Sequence, residues 1–174
     1  MAESMEFLGL SLTEISDVIR TKKASPVEIT KAALYRAEEL QPVLNSFITI
    51  LHDKAMECAH ESEKALMKGD YKGPLHGVPI GIKDNIATAG IKTTVGSKVF
   101  ATHVPKEDAH VIGLCKQAGA IIIGKENLDE FAGGGTSMNP HYGFVHNPWA
   151  LDCVPGGSSG GGAVVARRNC TAGQ

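Results

Sequence analysis

Two short apolar runs on either side of an amphipathic segment constrain the fold of this chain more than any other feature. The first run covers 78–82 and is bounded by glycine and polar residues, and the second covers 120–123. Between them, a helix is predicted over 107–117, with an apolar face made of Ala109, Val111, Ile112, Leu114 and Cys115. Runs this short are typical of strands buried on both faces of a sheet. Because strands joined by a helix usually lie parallel, the sequence predicts a βαβ unit in an α/β fold.

The part of the chain before these runs is predicted to be helical. Ser11 and Ser25 each precede a glutamate by three residues, which is the spacing of a capping box. The apolar pattern that follows predicts helices near 11–22 and 26–40, with Pro42 ending the second one. A third helix is predicted over 51–68, because helix formers dominate there and a glycine follows.

The length of 174 residues suits one domain with a hydrophobic core and is short for two. We divide this single domain into a helical layer over about 1–72, the start of an α/β core over about 73–166, and an atypical tail over 167–174.

Composition excludes several classes of function. The net charge is −2 and basic residues form no cluster beyond short pairs, so nothing indicates a nucleic-acid surface. The four cysteines lack CxxC pairing, which argues against a zinc site or a disulfide framework, and the histidines show no metal-ligand spacing. The acidic N-terminus has neither a basic region nor a long apolar run, so we expect a cytoplasmic protein without a membrane segment.

Lys83 is a candidate base, because it follows the first apolar run in the segment GIKDN. In α/β folds, ligands gather where strands end. A lysine that loses water at such a position favours its neutral form and can accept a proton. On position alone, a lysine that extends its amine to water is the alternative.

Two adjacent serines, Ser158 and Ser159, lie among five glycines in the segment VPGGSSGGG at 154–162. They could be catalytic, or they could belong to a turn that caps a helix beginning near Gly162 or binds an anion there. The segment matches neither a Walker A motif nor a nucleophile elbow.

Four motifs, in this order, closely resemble those of the amidase signature family over about residues 8–166. They are GVPIGIKDN at 77–85, GAIIIGKEN at 119–127 with EFA at 130–132, NPW at 147–149, and PGGSSGG at 155–161. The resemblance implies a mixed sheet flanked by helices behind a helical N-terminal layer, which the given chain would contain only in part at its C-terminal side.

The resemblance also implies a Ser-Ser-Lys relay. Lys83 matches the family's lysine, and Ser158 matches the bridging serine, which the family holds with a cis peptide. Ser159 would support the relay by hydrogen bonding. A loop that contacts substrate in the family matches the segment Gly133, Gly134, Gly135, Thr136 and Ser137. The nucleophilic serine of the family would lie beyond Gln174, so we expect this chain as given to be inactive by itself.

The implied reaction is hydrolysis of the C–N bond of a small carboxamide through an acyl-enzyme, without a cofactor or metal. An alternative is the glutaminase subunit of a tRNA-dependent amidotransferase, which would add partner subunits and tRNA as partners. The segment at 136–143 looks more like the general amidases. A non-catalytic fragment is a third hypothesis, and a homodimer is left open.

Overall fold

The computed structural model describes residues 7 and 9–166. Its helices are α1 (Leu12–Arg20), α2 (Pro26–Leu44), α3 (His52–Met67), α4 (His110–Gln117) and α5 (Gly160–Val165). Its strands are β1 (Phe47–Ile50), β2 (Pro79–Lys83), β3 (Ile121–Glu126), β4 (Met138–Asn139) and β5 (Gly143–Phe144). Short 3₁₀ turns lie at Lys98–Phe100 and Glu130–Ala132. The predicted tail at 167–174 lies outside the described residues.

The main sheet has three strands in the order β1-β3-β2. β2 and β3 are parallel and joined through α4, which confirms the predicted βαβ unit. β1 pairs antiparallel with β3 and makes the sheet mixed. The sequence did not predict β1. This strand has only four residues, it starts soon after the end of α2, and α3 follows almost immediately. β4 and β5 form a separate hairpin.

The N-terminal helices begin where the sequence predicts. Ser11 and Ser25 each form a complete capping box with the glutamate three residues later. The predicted end of the second helix was wrong, because α2 continues through Pro42 to Leu44. Pro42 is exposed and lies in the last turn of α2, where its missing N–H removes a single helical hydrogen bond. Asn45, in the left-handed conformation, ends the helix.

α4 begins three residues later than predicted. Asp108 accepts hydrogen bonds from the Ala89 amide at 2.7 Å and from the Lys116 amine, which holds the residues before His110 out of the helix. The predicted apolar face was also partly wrong. Ile112 is buried, whereas Val111 and Leu114 are each 50% exposed.

Helices pack on both faces of the sheet, as the resemblance implies. On one face, Leu34 of α2 and Ala55 and Ala59 of α3 contact Ile121 and Ile123 of β3. A second cluster joins β2, α4 and β3 through Ile82, Ile112 and Ile122. Burial of these side chains stabilises the sheet and fixes the positions at which β2 and β3 end. In the part of the chain described, no helix is both long and apolar enough to cross a bilayer.

Candidate active site

Lys83 and Ser158 meet at the end of β2. The Lys83 Nζ atom donates a hydrogen bond of 2.7 Å to the Ser158 Oγ atom, across 75 positions of sequence. Lys83 is the last residue of β2, and both side chains are half-buried. The structure therefore brings the two main candidate residues of the sequence into direct contact.

The serine segment packs against the glycine loop at 133–136. The Gly157–Ser158 peptide bond is cis, as the resemblance implies. A Cβ at Gly157 would lie 2.7 Å from the Thr136 N atom and 2.8 Å from the Gly135 carbonyl carbon, so only glycine allows this approach. Gly133, Gly134, Gly135 and Thr136 are all exposed, and the last two lie against Gly157 of the serine segment.

Ser159 precedes α5 and is exposed. Its carbonyl accepts the first helical hydrogen bond, from the Ala163 amide at 3.0 Å, but its side chain does not cap the helix. Its supporting role in a relay stays a prediction. α5 begins at Gly160, two residues before the predicted start.

Backbone contacts at Gly160 and Gly161 hold Ser158 in position. The Gly160 amide donates to the Ser137 Oγ atom at 2.9 Å, and that hydroxyl donates to the Gly156 carbonyl at 3.0 Å. The Gly161 amide donates to the Asn127 carbonyl at 3.0 Å, just after β3 ends. Ser137, the last residue of the segment that the resemblance matches to a substrate-contacting loop, is fully buried and bonded within the fold.

The sequence also offered no reason to assign a role to Glu126, the last residue of β3. It lies opposite Lys83 in the parallel register and is 8% exposed. Burial raises the pKa of its carboxyl to about 7, and the positive charge of Lys83 acts in the opposite direction. The signal in the sequence was a glutamate three residues after the apolar run at 120–123, inside the GKEN segment.

A buried ion pair lies beside the site, on Asp84 and Lys125. The Lys125 Nζ atom is 3.8 Å from the Asp84 Oδ1 atom. The same amine donates hydrogen bonds to the Ile86 carbonyl at 2.7 Å and to the hydroxyls of Thr88 and Thr93. Both charged side chains are fully buried. Burial lowers the pKa of Lys125 to about 8 and raises the pKa of Asp84.

No set of three or more histidine, cysteine or acidic side chains within residues 7 and 9–166 is arranged to bind a metal ion. His76, in the loop before β2, is buried. Its ring nitrogens bond the Lys72 amide at 3.3 Å and the Ser62 carbonyl at 3.0 Å.

Comparison with known proteins assigns the family. A family model described as Amidase matches residues 28–174. The chain is 43% identical over 160 residues to the A subunit of the glutamyl-tRNA(Gln) amidotransferase of Carboxydothermus hydrogenoformans, covering 92% of this chain and 33% of that protein. The chain therefore belongs to the amidase signature family, and it spans about a third of the length of the curated relatives it matches.

Solved structures agree with this assignment. The native peptide amidase from Stenotrophomonas maltophilia matches with a TM-score of 0.82 and 30% identity, over 88% of this chain and 33% of that one. A fatty acid amide hydrolase matches with a TM-score of 0.88 and 26% identity, over 94% of this chain and 29% of that one.

Proposed function

We propose that Lys83 and Ser158 form the proton-relay part of an amide-hydrolysing site. The neutral Lys83 amine would accept the hydroxyl proton of Ser158 as Ser158 takes a proton from a nucleophilic hydroxyl. The nucleophile would then attack a carboxamide, release ammonia or an amine, and yield an acyl-enzyme that water hydrolyses. The hydrogen bond of 2.7 Å between Lys83 and Ser158 is the observation that carries this proposal.

The neighbouring segments support the same function. The exposed loop at 133–136 borders the serine segment and would contact the substrate. Ser159 would support the relay from the N-terminal end of α5. By family resemblance, the nucleophilic serine follows Ser158 in the chain. No serine follows Ser159 within the 174 residues. We therefore expect no amide hydrolysis by the 174-residue chain alone.

A chimera tests the relay. Residues 9–166 replace the corresponding part of a complete family amidase, and ammonia release from a simple carboxamide is measured. We expect activity that falls at least about a thousandfold in kcat/KM on Lys83→Met or Ser158→Ala, because each change breaks proton transfer. Lys98→Met, at an exposed lysine, is the matched control and should leave kcat/KM unchanged. Full activity of the Lys83→Met chimera would refute the relay.

The second candidate is a glutaminase subunit of a tRNA-dependent amidotransferase. The 43% identity to a glutamyl-tRNA(Gln) amidotransferase chain favours it. Its chemistry is the same, but the substrate would be glutamine and the ammonia would pass to partner subunits. Glutamine hydrolysis that requires partner subunits and tRNA would select this candidate. Hydrolysis of simple carboxamides without partners would select the general amidase, and a correctly folded but inactive chimera would leave the non-catalytic hypothesis.

A further inference from the structure

The carboxyl of Asp129 lies between the glycine loop at 133–136 and the serine segment. A Cβ at Gly157, directly before Ser158, would overlap the Asp129 Oδ2 atom. A Cβ at Gly134, in the loop, would lie 2.6 Å from the Asp129 Cγ atom and 2.7 Å from its Oδ1 atom. The carboxyl therefore occupies the space that a side chain at either glycine would need. One side chain thus lies against both segments of the candidate site.

The surrounding fold anchors this carboxyl. Asp129 is 7% exposed and follows the end of β3 after two residues, the second of which, Leu128, is fully buried. The Asp129 Oδ2 atom accepts a hydrogen bond of 3.3 Å from the Thr136 amide. The backbone carbonyl of Asp129 accepts a second one of 2.8 Å from the Ala132 amide. Because both its backbone and its side chain are bonded, the carboxyl cannot move aside as the end of a long, exposed side chain can.

The contact with Asp129 lies between two other points at which the serine segment is held. The Ser137 hydroxyl bonds the Gly156 carbonyl on one side and the Gly160 amide on the other. These bonds fix the two ends of the segment. The Asp129 carboxyl lies against Gly157, between those ends, where the chain turns toward the catalytic candidate. Asp129 therefore supports the part of the segment that the Ser137 bonds leave to other contacts.

We propose that Asp129 is a positioning residue that acts through Ser158: its carboxyl supports Gly157 against the glycine loop and so keeps the Ser158 hydroxyl within hydrogen-bond distance of Lys83. This inference rests on the proposed function of Lys83 and Ser158 as a relay. Their hydrogen bond measures 2.7 Å, and Ser158 follows Gly157 directly, so a displaced glycine displaces the hydroxyl. A misplacement of about 1 Å at a catalytic group costs about a hundredfold in rate.

Steady-state kinetics of the chimera that carries residues 9–166 separate positioning from a structural role. We expect Asp129→Ala to lower kcat by about a hundredfold and to change KM by less than about threefold, because proton transfer is impaired rather than substrate contact. Asp129→Asn keeps the shape of the side chain and an oxygen acceptor, so it should recover most of the lost kcat. Asp70→Ala, at an exposed carboxyl, is the matched control and should leave both constants unchanged.

A second background shows whether Asp129 acts through Ser158. In a chimera that already carries Ser158→Ala, the added Asp129→Ala should have almost no further effect on kcat, because the group that it positions is gone. An equal loss in both backgrounds would overturn the proposal. A rise in KM at unchanged kcat would also overturn it, since Asp129 would then act on the substrate loop alone.

The order of the serine segment can be measured without catalysis, by NMR relaxation of the nitrogen-15-labelled 174-residue chain. We expect the order parameter of the Ser158 amide to fall from about 0.85 to below about 0.6 in Asp129→Ala. Gly134→Ala covers the case in which that variant does not fold. Its Cβ presses on the carboxyl from an exposed loop and should have the same effect. Gly135→Ala is its control for this measurement, since a Cβ there would meet nothing within 4 Å.

The two kinds of measurement distinguish the two proposals. A Ser158 amide that stays rigid in folded Asp129→Ala, or in Gly134→Ala, would overturn the positioning role. If the Ser158 amide loses order while the chimera tolerates Ser158→Ala, the proposed function fails and the contact between Asp129 and the serine segment stands.

Discussion

Gly161 shows how a single residue sets the geometry of the site. A Cβ there would overlap the Ser46 carbonyl oxygen, and would lie 2.6 Å and 2.7 Å from the carbonyl oxygen and amide nitrogen of Asn127. All three atoms belong to the backbone, which cannot move aside as a flexible side chain can. The close approach lets α5 lie against the ends of β1 and β3, and Ser158 lies three residues away.

We expect Gly161→Ala to lower the free energy of unfolding by about 1–3 kcal/mol, because overpacking displaces α5. Gly113→Ala is the matched control, since Gly113 is in α4 and a Cβ there would meet nothing within 4 Å. That change should raise the free energy of unfolding by about 0.5–1 kcal/mol through helix propensity. Urea denaturation measures both, and equal effects of the two substitutions would contradict this account of Gly161.

At the level of secondary-structure elements, the Asp84–Lys125 pair joins the ends of β2 and β3 to the loop between β2 and α4. Lys125 bonds Ile86, Thr88 and Thr93, and Asp84 accepts a hydrogen bond from the Thr94 amide at 2.8 Å. The pair thus fixes the position of the segment that directly follows Lys83 at the end of β2.

We expect Lys125→Met to lower the free energy of unfolding by about 3–5 kcal/mol, because it leaves the Asp84 carboxyl buried without its cation. Asp84→Asn should cost less in the Lys125→Met background than in the wild type, as a double-mutant cycle in urea would show. Lys116→Met breaks a more exposed pair with Asp108 and should cost less than about 1 kcal/mol. A cost for Lys125→Met as small as that for Lys116→Met would show that the buried pair is not structural.

How far the sequence predicts these elements depends on how local their signals are. The capping boxes at Ser11 and Ser25 and the apolar runs of β2 and β3 are local, and the structure confirms them. The strand β1 could not be predicted, because its identity depends on pairing with β3. Lys83 and Ser158 were linked only through family resemblance, since no local pattern joins residues 75 positions apart. Glu126 was missed because a charged residue buried in a strand violates the usual pattern.

Across the whole molecule, stability should depend on pH through Glu126. The pKa of its carboxyl is about 7 in the folded chain, against an ordinary value of 4.5 that the unfolded chain regains. The folded state therefore binds more protons at Glu126 between these values, so the contribution of this carboxyl to stability is largest below about pH 4.5 and is lost as the pH rises through 7. Lys125, with its lowered pKa of about 8, acts in the opposite direction above that range.

We expect the wild type to lose up to about 3 kcal/mol relative to Glu126→Gln between pH 5 and pH 8. Urea denaturation of both proteins at the two pH values measures this difference, and Glu107→Gln serves as the control. A difference between wild type and Glu126→Gln that is the same at pH 5 and pH 8 would show that Glu126 ionises normally in the folded chain.

The way in which α5 is attached determines how long the contact between Lys83 and Ser158 persists. Lys83 belongs to β2, which pairs with β3 along its whole length, whereas Ser158 is held through a helix of six residues by the bonds of Gly160 and Gly161. Short peripheral helices open by local fluctuation at lower free energy than a central sheet. We therefore expect sub-global opening of α5 to break the contact between Lys83 and Ser158 before the strands separate. We expect hydrogen exchange at the Gly161 amide, rather than the melting temperature, to report how often Lys83 and Ser158 are in contact.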